Sequence, residues 1–190
     1  YVFYTNEGIN YLNKYVGNDT SLELPDNYKG ESYVINEYAF SNCKNLISVK
    51  ISDGVTTIGK MAFDNCSNLI TILIGKNVTS IGDHAFVACY KLVEVINKSS
   101  LNIERGTNDY GCVAFYALNV KCEGPSEVAT INDYIFYANE GINYLIAYKG
   151  NDTSLELPDS YNGEFYVINE YAFSNCKNLI SVEIPTSVTS

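Results

Sequence analysis

Basic residues, histidine and long apolar runs are all scarce in this 190-residue sequence. Lysine and arginine number 12 against 22 aspartates and glutamates, a formal net charge of −10. That sign opposes the condensed negative charge of nucleic acid and of anionic lipid, so neither is expected as a partner. No apolar run approaches the roughly 20 residues of a membrane-spanning helix, and no basic stretch followed by an apolar one opens the chain. The sequence starts at Tyr1 and stops at Ser190 inside a repeating pattern. It is therefore expected to be a fragment of a longer polypeptide, with any export signal outside it. A single histidine, His84, gives nucleophilic catalysis no set of partners, and neither a phosphate-binding nor a dinucleotide-binding glycine motif occurs. No catalytic residue, cofactor or enzymatic activity is expected. No cysteine pair has the C-x-x-C spacing, so zinc is not expected either.

The 46% of hydrophobic residues is enough for a continuous core, and their spacing shows how it is built. Ala39-Phe40 recurs as Ala62-Phe63 and Ala85-Phe86, each followed at three residues by Cys43, Cys66 or Cys89. Leu46, Leu69 and Leu92 keep the same step of 23, as do Val49, Ile72 and Val95. A longer period lies on top: residues 1–57 align without a gap on 134–190 and differ at 13 positions. Self-similarity of this kind marks a stacked repeat, because one such unit cannot bury its apolar face alone.

Within a unit the apolar period changes. Leu22-Glu23-Leu24, Val49-Lys50-Ile51 and Ile72-Leu73-Ile74 alternate as short strands do, whereas Ile58, Ala62 and Cys66 stand four apart, which suits one or two helical or 3₁₀ turns. The expected fold class is thus α/β: parallel strands on one face, near residues 22, 49, 72, 95, 120, 155 and 182, and short helical turns on the other. The alternative is a pure parallel β-helix, if the Ala-Phe segment is extended. Aromatic runs around Asn139-Glu140-Gly141 predict a β-hairpin over 134–149, repeated over 1–16. An irregular insertion is expected over 97–114, where six extra residues separate Phe86 from Phe115 and Asn97 replaces an apolar strand residue. The whole chain is read as a single solenoid, 1–190, carrying these insertions.

The unit I-G-x-x-A-F-x-x-C-x-x-L, with the closing Val182 to Ser190 segment, resembles the BspA-type leucine-rich repeats. The resemblance implies a leucine-rich-repeat solenoid and a bacterial extracellular or cell-surface location. It further implies a non-enzymatic binding or adhesion module for a protein or glycan, the alternative being a structural spacer that displays another domain. Family members share no catalytic motif. At the position of Cys43, Cys66, Cys89 and Cys176 many such repeats place a polar group that meets backbone inside the coil. Stacked coils would hold these Cβ atoms near ~4.8 Å, too far for disulfides, so free buried thiols are expected.

His84 aligns with Met61 and Tyr38 and is expected on a helix surface. Asn18-Asp19-Thr20 and Asn151-Asp152-Thr153 are read as turn chemistry rather than calcium loops. Outward strand positions are the default binding surface of a curved solenoid. They are Glu23, Lys50, Leu73, Glu94, Ile96, Lys121, Glu156 and Glu183, with Leu73 and Ile96 as an exposed apolar pair. The hairpin tyrosines, Tyr137 and Tyr144 among them, are rival contacts unless they pack on the coil beneath. End-to-end self-association through uncapped coils is a further expectation.

Overall fold

The computed structural model describes residues 1–122 and 128–188. Its contacts gather into two compact units, Tyr1–Pro125 and Ser126–Ser190.

The first unit contains β1 (Val2–Asn6), β2 (Ile9–Lys14), β3 (Ser21–Glu23), β4 (Tyr33–Ile35), β5 (Ser48–Lys50), β6 (Val55–Ile58), β7 (Thr71–Ile74), β8 (Ser80–Ile81), β9 (Glu94–Asn97), a four-residue helix α1 (Asp109–Cys112) and β10 (Asn119–Lys121). Two five-stranded sheets result, β10-β9-β7-β5-β3 and β1-β2-β4-β6-β8. All strands of the first run parallel, and only the β1–β2 hairpin breaks that rule in the second. Register places Leu22, Val49, Ile72, Val95 and Val120 in one row, and Leu12, Ile35, Ile58 and Ile81 in the other. Between the two rows, Phe40, Phe63 and Phe86 stack with centroids 4.6 and 5.0 Å apart and planes within 4°. Equivalent side chains from successive coils therefore form continuous ladders. Each fully buried Phe or Ile contributes roughly 1.5–3 kcal/mol by removal from water.

Among the described residues α1 is the only helical segment and the repeat coils carry none of the expected helical turns, so the α/β description is corrected accordingly. After β6 the N–H groups of Ala62, Asp64, Cys66 and Leu69 donate to the carbonyls three residues back, at 2.9–3.3 Å. The intervening N–H groups of Met61, Phe63 and Asn65 instead reach Asp83, Ala85 and Val87 of the next coil, at 2.8–3.1 Å. A helix turns every N–H along its own axis and leaves none for a neighbour. Here left-handed residues at Met61 (φ 52°) and Asn65 (φ 55°) flatten the path, so half of the amides bond sideways. Tyr38 and Asn42, His84 and Ala88, and Tyr171 and Asn175 repeat that pair. The four-residue spacing that suggests a helix is the spacing of these corners, and His84 occupies a turn corner rather than a helix surface.

The irregular coil follows a different register from the one its Phe suggests. Phe86 N–H donates to Gly111 at 2.8 Å, as Phe63 does to Ala85, so Gly111 takes the alanine place and Phe115 is left 40% exposed. Gly111 is needed twice over, by φ +66° and because a Cβ would lie 2.7 Å from that of Ala85. Asn97 organises the preceding loop: its amide donates to Leu101 O at 2.7 Å and its oxygen accepts from Ser99 N–H and Oγ at 3.0 and 2.6 Å.

The second unit contains β11 (Val128–Ile131), β12 (Tyr134–Asn139), β13 (Ile142–Tyr148), β14 (Ser154–Glu156), β15 (Tyr166–Ile168) and β16 (Ser181–Glu183). Its sheets are β11-β12-β13-β15 and the parallel pair β14-β16. The seven strands anticipated from the 23-residue step all form, five in the first unit's outer sheet and two in the second's.

Candidate functional site

On the outward face of β3-β5-β7-β9-β10, parallel register sets Glu23, Lys50, Leu73, Ile96 and Lys121 side by side. A groove of about 430 Å³ runs along it, bounded by Ser21, Glu23, Lys50, Thr71, Leu73, Ile96 and Lys98. Its floor is apolar in the middle and polar at either end. At one end Lys50 donates to Glu23, and that hydrogen bond holds the lysine above its usual pKa. Ser21 and Ser48 share a 2.7 Å hydroxyl contact beside it.

The other end is less open than the sequence suggests. Glu94 is fully enclosed and Ile96 only 3% exposed, so Leu73 and Ile96 do not form the anticipated exposed pair. Lys121 stands opposite Ile96 yet sends its ammonium back to Glu94 at 2.9 Å, which lays its stem across β9. Leu73, half-buried, is the main apolar side chain left at the groove surface. In the second unit Glu156 and Glu183 are exposed register neighbours, because the residue equivalent to Lys50 has become Glu183.

The tyrosine candidates divide. Tyr137 is wholly buried, since β12 is an inner strand with Val128 opposite it on one side and Tyr144 on the other; it is not available to a partner. Tyr144 is half-buried. In the other hairpin Tyr4 and Tyr11 stack at 4.9 Å with Tyr4 39% exposed, while Tyr15 packs on Phe40 at 5.5 Å.

Two small recesses at equivalent places had no sequence signal beyond polarity. One, of about 220 Å³, is lined by Gly17, Asn18, Asp19, Asn42, Cys43 and Asn45, and the other, of about 230 Å³, by the corresponding residues from Gly150 to Leu179. Their aspartates are already engaged: Tyr15 Oη donates to Asp19 and Tyr148 Oη to Asp152. The Tyr148 bond pushes that phenol up to about 12. A Cβ on Gly17 would strike the Tyr15 ring, which is why the turn needs glycine there.

No disulfide forms among the described residues, but only Cys66 and Cys89 of the repeat cysteines are fully buried; Cys43 and Cys176 are half-buried. Cys66 and Cys89 donate to the carbonyls of Phe40 and Phe63, both at 3.2 Å. The adjacent Cys89 thiol and burial push Cys66 upward, and burial pushes Cys43 up to about 11. Cys43 and Cys66, with their thiols pushed upward, are unsuited to nucleophilic chemistry at neutral pH. Among the described residues no three His, Cys, Asp or Glu side chains gather as a metal site, and no helix is long and apolar enough to cross a membrane.

A search of curated proteins finds no match. Among solved structures the chain is similar to a leucine rich repeat protein of T. pallidum, at 19% identity and a TM-score of 0.51, over 97% of this chain and 80% of that one. It is also similar to a leucine rich cell surface protein of Faecalibacterium prausnitzii (20% identity, TM-score 0.34, 98% and 75% covered). A leucine-rich repeat protein of Bacteroides ovatus gives 24% identity and a TM-score of 0.41, with 98% and 52% covered. At 19% identity the likeness to the first of these concerns the fold alone. The sequence itself matches the BspA type leucine rich repeat region, in 6 copies, over residues 10–143 and 142–190. With nearly the whole length accounted for by those copies, this chain belongs to the BspA type leucine-rich repeat family.

Proposed function

We propose that this chain is a non-enzymatic recognition module of a bacterial surface or secreted protein, which contacts a protein or glycan through the outer face of the five-stranded sheet. The family itself points to a protein-binding repeat module. The observation that carries the finer reading is the groove over β3 to β9, where half-buried Leu73 lies between the Glu23–Lys50 pair and Lys98. An apolar centre with a polar rim is the layout of a contact patch. Acidic overall charge fits a partner that is basic or neutral.

The test is binding of the full chain to a panel of purified extracellular-matrix proteins and to a glycan array. Saturable binding lost on Leu73→Asp, with the circular dichroism spectrum unchanged, supports the proposal; binding that survives Leu73→Asp and Lys50→Glu together refutes it. A spacer role is the second reading, favoured by the way Glu23 with Lys50 and Glu94 with Lys121 satisfy one another across the sheet.

A further inference from the structure

The segments 1–57 and 134–190 share one local fold yet carry different side chains at one exposed place. In each, a tight turn closes by mutual backbone hydrogen bonds at 2.9–3.1 Å, Tyr28 with Glu31 and Tyr161 with Glu164. Behind it a buried asparagine ties the following strand to the hairpin: the Asn10 amide donates to Ser32 O and the Asn143 amide to Phe165 O, both at 3.5 Å. Parallel register sets Asn143 beside Tyr166, both buried, so the residues just before them, Ile142 and Phe165, stand side by side on the outer face. Ile142 is 46% exposed and Phe165 69%. Tyr144 and Val167, half-buried register partners two residues on, continue that face. The equivalents in the first segment are Ile9, 48% exposed, and Ser32, which is exposed even though β6 of the next coil lies along β4. Openness therefore belongs to this place in the coil.

The charge there differs as well. Lys29 holds its ammonium 3.5 Å from Thr5 Oγ1 and 5.0 Å above the Tyr28 ring, but Asn162 and Ala138 stand where Lys29 and Thr5 would be. What remains beside Ile142 and Phe165 is Glu140 in the hairpin turn and Glu164 next to the phenyl ring, both exposed and neither ion-paired with a described residue. Single exposed apolar residues are ordinary, whereas an aromatic and an aliphatic side chain together, with a rim of one charge sign, form a contact patch. We infer that the outer face at Ile142 and Phe165 docks a protein segment presenting an apolar side chain flanked by basic residues. The apolar side chain covers the phenyl ring and Ile142, and the cations meet Glu140 and Glu164. Ser32 and Lys29 leave the first hairpin without this site, which is also separate from the groove over β3 to β9.

The test is an NMR titration of the full chain with the peptide acetyl-Arg-Leu-Phe-Arg-amide. Saturable shifts are expected at residues 140–143 and 162–167 and none at Ser48–Lys50 or Thr71–Ile74, which separates this site from the sheet groove. Phe165→Ser installs the residue that the first segment already accommodates. It should weaken binding about tenfold or more, the scale of one large apolar side chain returned to water. Glu140→Gln with Glu164→Gln should weaken it too and remove its salt dependence. Lys29→Asn with Ser32→Phe should create a second site, with new shifts at residues 7–10 and 29–34. The inference is overturned if no shift appears at the peptide's solubility limit, or if the Phe165→Ser chain binds as tightly as the parent. It is equally overturned if acetyl-Glu-Leu-Phe-Glu-amide binds as well as the basic peptide, or if the transplanted pair gives no second site.

Discussion

Ala88 is the one residue at its turn corner that lacks an amide side chain. Its equivalents at steps of 23 and 133 are Asn65, Asn42 and Asn175, all left-handed at φ 55°, 62° and 68°. Ala88 is held at φ 58° with nothing to compensate. A side chain with a Cβ incurs roughly 1–2 kcal/mol there, and asparagine tolerates the region better than other residues. Ala88→Gly removes that strain but adds about 0.4–1 kcal/mol of freedom to the unfolded chain, for a net gain of about 0–1.6 kcal/mol. Ala88→Asn avoids the entropy cost. It also extends the ladder in which Asn65 donates to Asn42 at 2.7 Å, a hydrogen bond worth about 0.5–1.5 kcal/mol. The expected gain is about 1–2 kcal/mol, a rise of roughly 2–8 °C in melting temperature for a chain of this length. Ala88→Val should lose about 1–3 kcal/mol, because a β-branched side chain fits the left-handed region worst. Urea denaturation of the four proteins should rank Asn first, then Gly, then Ala, then Val. An asparagine variant no more stable than the parent, or a valine variant as stable as it, would refute the flattened-turn account of the fold.

Three further outcomes follow from the same geometry. Phe63→Ala should cost about 3–5 kcal/mol, because the ring is fully buried between two others at 4.6 and 5.0 Å. A loss below about 1 kcal/mol by calorimetry would mean the ladder relaxes freely. Glu183→Lys should restore opposite charges beside Glu156 and stabilise the second unit by about 0.2–1 kcal/mol at low salt, a gain that must shrink as salt is added. Stability should be flat at neutral pH and fall on the alkaline side. Cys43 is raised from 9.0 to about 11, and Tyr166 and Tyr148 from 10.0 to about 12, by burial for Cys43 and Tyr166 and by the Asp152 bond for Tyr148. The folded state thus holds these protons more tightly, and its advantage drains away from about pH 9 to about pH 12. A urea midpoint equal at pH 8 and about pH 11 would contradict those shifts.

The ladders were legible because each depends on a residue type repeating at a fixed step. Leu22, Val49, Ile72 and Val95 could be placed in one row from spacing alone, and so could the phenylalanines. The turn side was not, because a spacing of four is shared by an α-helix and by a chain with a left-handed corner every fourth residue. Tyr38, Met61 and His84 are neither glycine nor asparagine and do not announce the corner; at Tyr38 and Met61 the backbone is held there by sideways amide bonds that no single coil reveals. Phe115 misled for a related reason, since Gly111 restores the pattern four residues before the expected aromatic. In the candidate site the outward positions were readable from alternation. The enclosure of Glu94 and Ile96 was not, because alternation gives the face on which a side chain stands and not what else reaches that face, such as the Lys121 ammonium at Glu94. Tyr137 could not be told from Tyr4 by its own hairpin; the strand that covers it lies at residues 128–131.

Amide bonds that leave each coil sideways, at the corners as well as along the strands, fix which residues must lie over one another and leave the loops between them free to differ in length. The steps from Leu22 to Val49, Ile72, Val95 and Val120 are 27, 23, 23 and 25 residues, and the row stays in register. A residue inserted within a strand would turn its side chains to the wrong face, whereas one inserted in a loop leaves the later coils in phase. Residues 1–57 and 134–190, alike at 44 of 57 positions, present the same hairpin and the same long coil twice, so length is gained between the rungs and never within them.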